Sequence, residues 1–146
     1  LVIADHVLFY CEDIPQVLAE CRRVLKNGGR FLCSTYGKQH MREITDLVQQ
    51  FHKEIVLSAE VLYERFGLEN GENLLAPYFP EIQMRRYEDA IEIAEAEPLI
   101  SYILSCHGNQ NQLLLNQYKE FREFVSARVA DGFHITKDAG IFLCRK

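Results

Sequence analysis

One strand–helix–strand unit at the start of the chain constrains the fold more than any other feature. A nearly unbroken apolar run over residues 1–9 predicts a strand that is buried on both faces of a sheet. Asp13 predicts the start of an amphipathic helix, which Gly28 and Gly29 are expected to end. A second strand is predicted over residues 30–36. Because such crossovers are right-handed and join parallel neighbours, the sequence predicts an α/β fold.

The remainder of the chain predicts more helices and two outer strands. Helices are predicted over residues 41–51, from Ser58 to Gly67, and over residues 73–78, 98–106 and 110–130. The last of these is the longest. Alternating apolar residues predict an outer strand over residues 81–87, and a final strand is predicted over residues 133–144.

Composition limits the classes of protein to which the chain can belong. Its 146 residues, 48% of them hydrophobic and 25% charged, suit one soluble globular domain. No apolar run approaches the roughly 20 residues of a membrane helix, and a formal net charge of −5 argues against nucleic acid as the main partner. The five cysteines and five histidines show no ligand spacing, so we predict neither a disulfide framework nor a metal site. A cytoplasmic location is expected.

Polar residues follow the apolar bodies of the two predicted parallel strands. Asp5 and His6 follow the first strand, and Thr35 and Tyr36 end the second. Ligands of open α/β sheets bind outside the carboxyl ends of parallel strands, so these residues are candidates for a binding crevice. The alternative is that Asp5 and His6 only begin a loop and cap each other. The spacing favours neither interpretation.

Three runs within residues 1–37 carry a resemblance to a known family. They are Ala4-Asp5-His6-Val7-Leu8-Phe9-Tyr10, Asp13-Ile14-Pro15 and Glu20-Cys21-Arg22-Arg23-Val24-Leu25-Lys26-Asn27-Gly28-Gly29-Arg30-Phe31. These runs resemble the fourth strand, the following helix and the fifth strand of class I S-adenosylmethionine-dependent methyltransferases. They are most similar to the small-molecule branch that includes the ubiquinone and menaquinone biosynthesis methyltransferases. The resemblance is weak over the rest of the chain.

The resemblance implies a partial Rossmann-like sheet, strands four to seven, whose last strand runs antiparallel beside the fifth. Residues 140–144 would form that last strand and residues 81–87 the sixth. The implied cofactor is S-adenosylmethionine, with Ala4, Asp5 and Leu8 beside its methionine end. The implied reaction is methyl transfer to a small-molecule acceptor.

The resemblance also makes residues 1–146 the C-terminal portion of a methyltransferase domain, with residues 38–80 as a helical insertion. Such an insertion is well placed to cover a substrate pocket, although its apolar residues equally suit a satellite core. The glycine-rich first loop of the family, and the acidic residue that would hold the ribose, do not occur in this sequence. About 100 residues are therefore expected before Leu1 as the missing N-terminal half of the domain. Without them we expect weak cofactor binding and no turnover.

Methyl transfer mainly requires alignment of donor and acceptor, with a general base only where the acceptor loses a proton. The candidate bases are His6 and His40. His107 follows an apolar helix and is a candidate for substrate binding and a third possible base. Tyr10 and Tyr36 are candidates for orienting a substrate through their hydroxyls, or for packing alone. Many relatives carry His at the position of Tyr10, which puts a proton-transfer role there in doubt.

A non-enzymatic α/β binding or dimerisation module is the alternative class of function. Its contact face, in a homodimer or with another partner, would be the predicted helix 110–130. Such a module would not need polar groups at the strand ends, whereas an enzyme would. The acidic run over residues 88–97, spaced at three and four, is interpreted as the solvated face of a helix or turn.

Overall fold

A computed structural model describes residues 1–58 and 60–146 as an α/β fold. The strands are β1 (Val2–Asp5), β2 (Arg30–Tyr36), β3 (Glu81–Ile93) and β4 (Phe133–Arg145). They form one sheet in the order β1, β2, β4, β3. The helices are α1 (Ile14–Val24), α2 (Arg42–Phe51), α3 (Leu62–Arg65), α4 (Gly71–Leu75), α5 (Ala96–Ser105), α6 (Gln110–Leu114) and α7 (Tyr118–Val129).

The pairing of the strands follows the predicted pattern. β1 runs parallel to β2, with Val2 opposite Phe31 and Asp5 opposite Ser34. β4, the last strand of the chain, runs antiparallel beside β2 and lies between β2 and β3. The predicted fold class, a partial Rossmann-like α/β sheet with its last strand antiparallel, is therefore confirmed.

Contacts divide the chain into two units. The first comprises residues 1–40, 61–88 and 138–146, and the second comprises residues 41–60 and 89–137. β3 and β4 contribute residues to both units. The predicted insertion 38–80 is divided as well, because its residues 61–80 belong to the first unit. Its role as a cover for a substrate stays a prediction.

Helix α1 in the first unit is fixed at both ends by side chains. The Asp13 carboxylate accepts a hydrogen bond from the backbone N–H of Gln16 at 2.9 Å, which confirms the predicted N-cap. At the other end the Lys146 ammonium donates to the carbonyls of Arg22 and Leu25, at 2.7 Å each. A cation placed there complements the negative end of the helix dipole.

The core of the first unit is rich in aromatic rings. Phe31 stacks on Phe79 with 5.3 Å between ring centroids, and both side chains are buried. Cys33 and Cys144 lie in the same core. A hydrogen bond to Cys144, together with burial, raises the pKa of the Cys33 thiol. Cys33 is therefore a neutral core residue rather than a reactive thiol.

The core of the second unit is mostly aliphatic and joins α2, α5, α6 and α7. Its buried members are Ile44, Leu47, Val48, Ile55, Leu99, Ile100, Ile103, Leu114, Phe121, Val125, Val129 and Ile135. The prediction of one helix over residues 110–130 is wrong, since α6 ends at Leu114 and α7 begins at Tyr118. The N–H of Gln117 donates to the carbonyl of Leu114 at 3.0 Å and closes a turn, which leaves Leu115 76% exposed. Tertiary packing here overrides local helix propensity.

The first strand is shorter than its apolar run predicts. β1 ends at Asp5, His6 adopts a left-handed backbone, and a 3-10 turn follows over Leu8–Tyr10. Burial on both faces is also wrong, because the side chain of Ile3 is 63% exposed. The reason is that β1 forms an edge of the sheet over the residues that the structure describes.

Two other predictions need correction. Ser58 is not a helix cap, because its hydroxyl donates to the carbonyl of Glu60 and α3 begins only at Leu62. Ala59, which falls within that predicted helix, lies outside the described residues. The acidic run does not lie on one helix or turn either, because β3 continues to Ile93. Its carboxylates are exposed, as expected of a solvated face.

The remaining predicted helices are present with shifted ends. The helix expected over residues 41–51 is α2, the one over 98–106 is α5, and the short one over 73–78 begins earlier, at Gly71. None of the helices described is long and apolar enough to cross a membrane. Within residues 1–58 and 60–146, no three His, Cys, Asp or Glu side chains are arranged to hold a metal ion.

Candidate functional site

The carboxyl ends of β1 and β2 lie side by side and are linked through one hydroxyl. Asp5 and Ser34 are opposite each other in the parallel register. The Ser34 hydroxyl donates to the Asp5 carboxylate and accepts a hydrogen bond from the backbone N–H of His6 at 3.0 Å. Asp5 and His6 are therefore not simply a loop in which each caps the other. Both are hydrogen-bonded to Ser34 of the neighbouring strand. Ser34 is not among the site residues predicted from the sequence.

His6 has a strained backbone where the two strands end. The φ of His6 is 47°, in the left-handed region that residues other than glycine rarely occupy. Such conformations cost on the order of 1–3 kcal/mol and tend to cluster at functional sites. The hydrogen bond to Ser34 and a ring contact with Tyr36 hold His6 in place. The imidazole of His6 therefore lies beside Tyr36, the last residue of β2.

Five rings gather at this edge and form what we call the aromatic cluster: His6, Phe9, Tyr10, Tyr36 and His40. Tyr36 is central, stacked on His40 at 5.1 Å and on His6 at 6.2 Å between ring centroids. Phe9 lies 5.2 Å from Tyr36 and 4.7 Å from Tyr10. The structure thus brings together both predicted bases and both predicted substrate-orienting tyrosines of the first unit.

Members of the aromatic cluster differ in exposure. Phe9 is only 2% exposed and forms an apolar base, whereas Tyr10 is 65% exposed. His6 is exposed, and Tyr36 and His40 are half-buried. Phe9 was missed as a site residue because, in the sequence, it belongs to an apolar run that suits a core strand. An aromatic or apolar group can pack against the exposed rings of this arrangement, with imidazole nitrogens beside it.

The three predicted cofactor-binding residues lie at the same edge with different surroundings. Asp5 is exposed, Ala4 is 8% exposed, and Leu8 is 1% exposed with its side chain in the core. Of the three side chains, that of Asp5 is therefore accessible to a ligand, whereas those of Ala4 and Leu8 are buried beneath the edge. Their part in binding a cofactor stays a prediction.

His107 belongs to the second unit, where it lies exposed in the turn between α5 and α6. That turn is fixed by Asn109, whose side-chain oxygen accepts from the N–H of Val56 at 2.8 Å and whose N–H donates to the Val56 carbonyl at 3.0 Å. Gly108 allows this close approach, because a Cβ there would overlap the Val56 carbonyl. The role of His107 in binding a substrate stays a prediction.

A depression of about 430 Å³ lies at the other end of β2 in the first unit. Arg30, Glu81 and Arg145 contribute to its wall, and the Arg145 guanidinium lies 3.7 Å from the Glu81 carboxylate. This depression is at the amino end of β2. Ligand sites of α/β sheets lie at the carboxyl ends of parallel strands, so the aromatic cluster is the better candidate.

Comparison with known proteins finds a match for the stretch that contains β1, α1 and the first part of β2. Residues 1–33 match a family described as a methyltransferase domain. A malonyl-[acyl-carrier protein] O-methyltransferase of Nitrosospira multiformis is 41% identical over 44 residues, which cover 30% of this chain and 14% of that protein. This chain thus spans only a small part of that relative. Residues 1–33 are thus similar to a methyltransferase domain, as the resemblance of these residues predicted.

Proposed function

We propose that the chain is the C-terminal part of a class I methyltransferase that uses S-adenosylmethionine and methylates a small-molecule acceptor. The observation that carries the proposal is the position of Asp5, Ser34 and the aromatic cluster at the carboxyl ends of β1 and β2. That edge is where open α/β sheets bind ligands, and β1 lies within the stretch that matches the methyltransferase family. A cytoplasmic location is part of the proposal and is supported by five free cysteines.

The residues at the end of β1 fit the methionine end of the cofactor. The exposed Asp5 carboxylate is a suitable acceptor for an ammonium group, and the small side chain of Ala4 allows a ligand close to the strand. When bound, S-adenosylmethionine supplies a methyl group on a positively charged sulfur. The rest of the cofactor needs contacts that this sequence does not offer, since it has no glycine-rich loop after a strand.

The open edge of β1 supports a partner from the same domain. Leu1, Ile3 and Val7 are 72%, 63% and 43% exposed, and they lie on or beside this edge strand. Parallel sheets normally have both faces covered, and covering apolar surface is favourable by roughly 25 cal/mol per Å². We propose that the N-terminal half of the domain covers this edge and supplies most of the cofactor contacts.

On the acceptor side, the aromatic cluster can perform three tasks. Tyr36, packed on the buried Phe9, provides apolar surface that excludes water from one side of an acceptor. The exposed Tyr10 can orient the acceptor through its hydroxyl. His6 and His40 stack on Tyr36 and can receive the proton that an oxygen or nitrogen acceptor loses on methylation.

A binding or dimerisation module is the second candidate, and one observation in the second unit favours it. Leu115, which follows α6, and Tyr118, the first residue of α7, are 76% and 44% exposed beside a depression of about 440 Å³. Exposed apolar residues next to a depression are typical of a contact surface. In this alternative the surface that contacts a second copy or another partner would be the turn between α6 and α7, rather than one long helix.

Thermal shift measurements with S-adenosylmethionine and S-adenosylhomocysteine test the proposal. Both ligands should raise the melting temperature of the complete protein, because a ligand at 100 times its Kd stabilises the folded state by about 2.7 kcal/mol. Asp5→Asn should weaken the shift, whereas Asp46→Asn, on an exposed site of α2, should not. A complete protein that ignores both ligands would refute the methyltransferase proposal. Sedimentation of Leu115→Ser against wild type would then test the dimerisation module.

A further inference from the structure

The turn that follows β2 is held by two acidic residues from distant parts of the chain. The backbone N–H of Gly37 donates to the carbonyl of Asp138 at 2.9 Å. The next N–H, of Lys38, donates to the Glu69 carboxylate at 3.2 Å, and that of Gln39 donates to the Asp138 carboxylate at 3.1 Å. Three successive backbone donors of one turn are thus satisfied by two residues.

One guanidinium joins the two carboxylates. The Asp138 side chain is 6% exposed, and its second oxygen lies 3.1 Å from Nε of Arg86. A terminal nitrogen of Arg86 lies 3.2 Å from Glu69. A buried carboxylate is tolerated only when it is paired and hydrogen-bonded, and Asp138 meets both conditions. We refer to Asp138, Glu69 and Arg86 as the carboxylate clamp.

Two glycines make room for the carboxylate clamp. A Cβ at Gly37 would overlap the carboxylates of both Asp138 and Glu69. At Gly140, in β4, a Cβ would crowd the backbone of Arg85 and Arg86, so glycine there lets β3 carry Arg86 close to Asp138. Glycine at these two positions therefore leaves space for the side chains of the carboxylate clamp.

The turn determines where His40 lies. The His40 N–H donates to the Gly37 carbonyl at 3.2 Å and closes the turn, and the imidazole then stacks on Tyr36 with an interplanar angle of 26°. Tyr36 itself is fixed on the strand, where its carbonyl accepts from the N–H of Leu68 at 3.3 Å. A change in the turn would therefore move His40 relative to a fixed Tyr36.

We propose that the carboxylate clamp is a positioning device, which holds the 37–40 turn so that His40 faces the acceptor side of the site. None of its three members needs to touch a substrate, since each acts through the turn. The catalytic meaning of this device rests on the proposed function. Its geometric effect does not, and it can be measured without any ligand.

The test is a pair of substitutions with a matched control, followed by NMR of the protein. Asp138→Asn keeps the shape of the side chain but removes its charge, and the NH2 group, which a guanidinium repels, replaces the oxygen that accepts from Gln39. Glu69→Gln changes the exposed partner of Arg86. Glu72→Gln, at an exposed site of α4, is the control. Asp138→Asn should speed amide exchange of Gln39 by about tenfold, the order expected when one hydrogen bond is lost.

The imidazole signals of His40 should shift in Asp138→Asn and by less in Glu69→Gln, while those of His134 stay in place. A purely structural role predicts something else, namely that the amides of Gln39 and Thr35 exchange faster together and that the His40 signals are unchanged. That result would overturn the proposal. If Asp138→Asn does not fold, Gly37→Ala displaces the turn with both carboxylates kept, and the same two readouts decide.

Ligand measurements on the same variants separate this inference from the proposed function. With both correct, Asp138→Asn lowers kcat for methyl transfer while the Kd of S-adenosylhomocysteine is unchanged. If wild type binds no S-adenosylhomocysteine but the His40 signals still shift, the proposed function fails and the positioning device stands. If methyl transfer and binding are intact and the His40 signals do not move, the positioning device fails alone.

Discussion

The two units differ in how they treat buried polar groups. In the first unit Asp138 is buried with a guanidinium partner, and the buried Thr35 hydroxyl donates to the carbonyl of Phe66 at 2.6 Å. In the second unit Gln110 is fully buried, yet its side-chain oxygen has no hydrogen-bond partner among the described residues. Satisfied buried polar groups fix one arrangement of the backbone, whereas an aliphatic core fixes mainly stability. Thr35 and Asp138 therefore fix the backbone around them in the first unit.

The candidate site and the family match both lie in that first unit. Residues 1–33 and the aromatic cluster belong to it, and so does the carboxylate clamp. The second unit contributes a separate core around α2, α5 and α7. Mutations should therefore separate into those that alter the site and those that alter stability alone.

The largest expected effect is a loss of core volume in either unit. Phe142→Ala removes a buried ring whose centroid lies 5.9 Å from that of Phe66. Phe121→Ala removes a buried ring whose centroid lies 5.2 Å from that of Phe51. Each should lower the free energy of unfolding by about 3–5 kcal/mol in urea titrations. Tyr118→Ala, at a partly exposed site, should lower it by much less. A loss below about 1 kcal/mol for either phenylalanine would contradict its place in a core.

The next largest effect tests a backbone contact of the second unit. Gly108→Ala places a Cβ against the Val56 carbonyl, and overpacking of this kind costs about 1–3 kcal/mol. The turn that carries His107 should loosen, which hydrogen exchange of the Asn109 amide would report. Ser126→Ala, exposed on α7, is a control that should change little. Unchanged exchange at Asn109 would show that the turn does not depend on this contact.

These contacts also show why sequence predicted some features and not others. The strand–helix–strand unit was predicted because its signals are local, as in Asp13, which caps α1 from three residues away. The predicted stop at Gly28 and Gly29 is wrong in detail, because α1 ends at Val24 and Gly28, with φ of 73°, lies in the turn that leads to β2. The partners in the hydrogen bond from Gln39 to Asp138 are 99 residues apart, and no periodicity encodes that distance. The break at Leu115 was missed for a related reason, since packing of α6 and α7 rather than helix propensity decides it.

Of the candidate site, the sequence predicted the members that end strands. Asp5, His6 and Tyr36 were found because polar residues after apolar strands are a local signal. Ser34 was missed because its importance comes from lying opposite Asp5 in the register. A charged residue in an apolar final strand, Asp138, was the available sign of the carboxylate clamp, but its partners could be found only in the structure.

A smaller effect is expected at the buried polar side chains of Thr35 and Gln110, which can be compared directly. Thr35→Val leaves the Phe66 carbonyl without its donor and should lower the free energy of unfolding by about 1–3 kcal/mol. Gln110→Leu removes an oxygen that has no partner within the described residues, together with the NH2 group that donates to the Cys106 carbonyl, so the loss should be smaller than for Thr35→Val. Urea titrations of both variants side by side measure the difference. Equal losses of unfolding free energy in the two variants would contradict the difference between the two units.

The smallest effect concerns an exposed ion pair of the second unit. A hydrogen bond to Glu92 raises the pKa of His134 above its ordinary value of 6.5. Because the folded-state pKa is the higher one, the stabilisation is complete below about pH 6.5 and is lost as pH rises through the raised value. His134→Gln and Glu92→Gln should each remove this slope from the urea midpoint. A slope that survives both changes would assign it to another group.

The central claim is that the carboxyl ends of β1 and β2 form the cofactor edge of a methyltransferase domain. The most direct measurement is an NMR titration of the complete protein with S-adenosylhomocysteine. We expect the largest amide shifts at Asp5, His6 and Ser34, and little change at Val125 in the core of the second unit. Saturable binding with shifts confined to the second unit, or no binding at all, would contradict the claim.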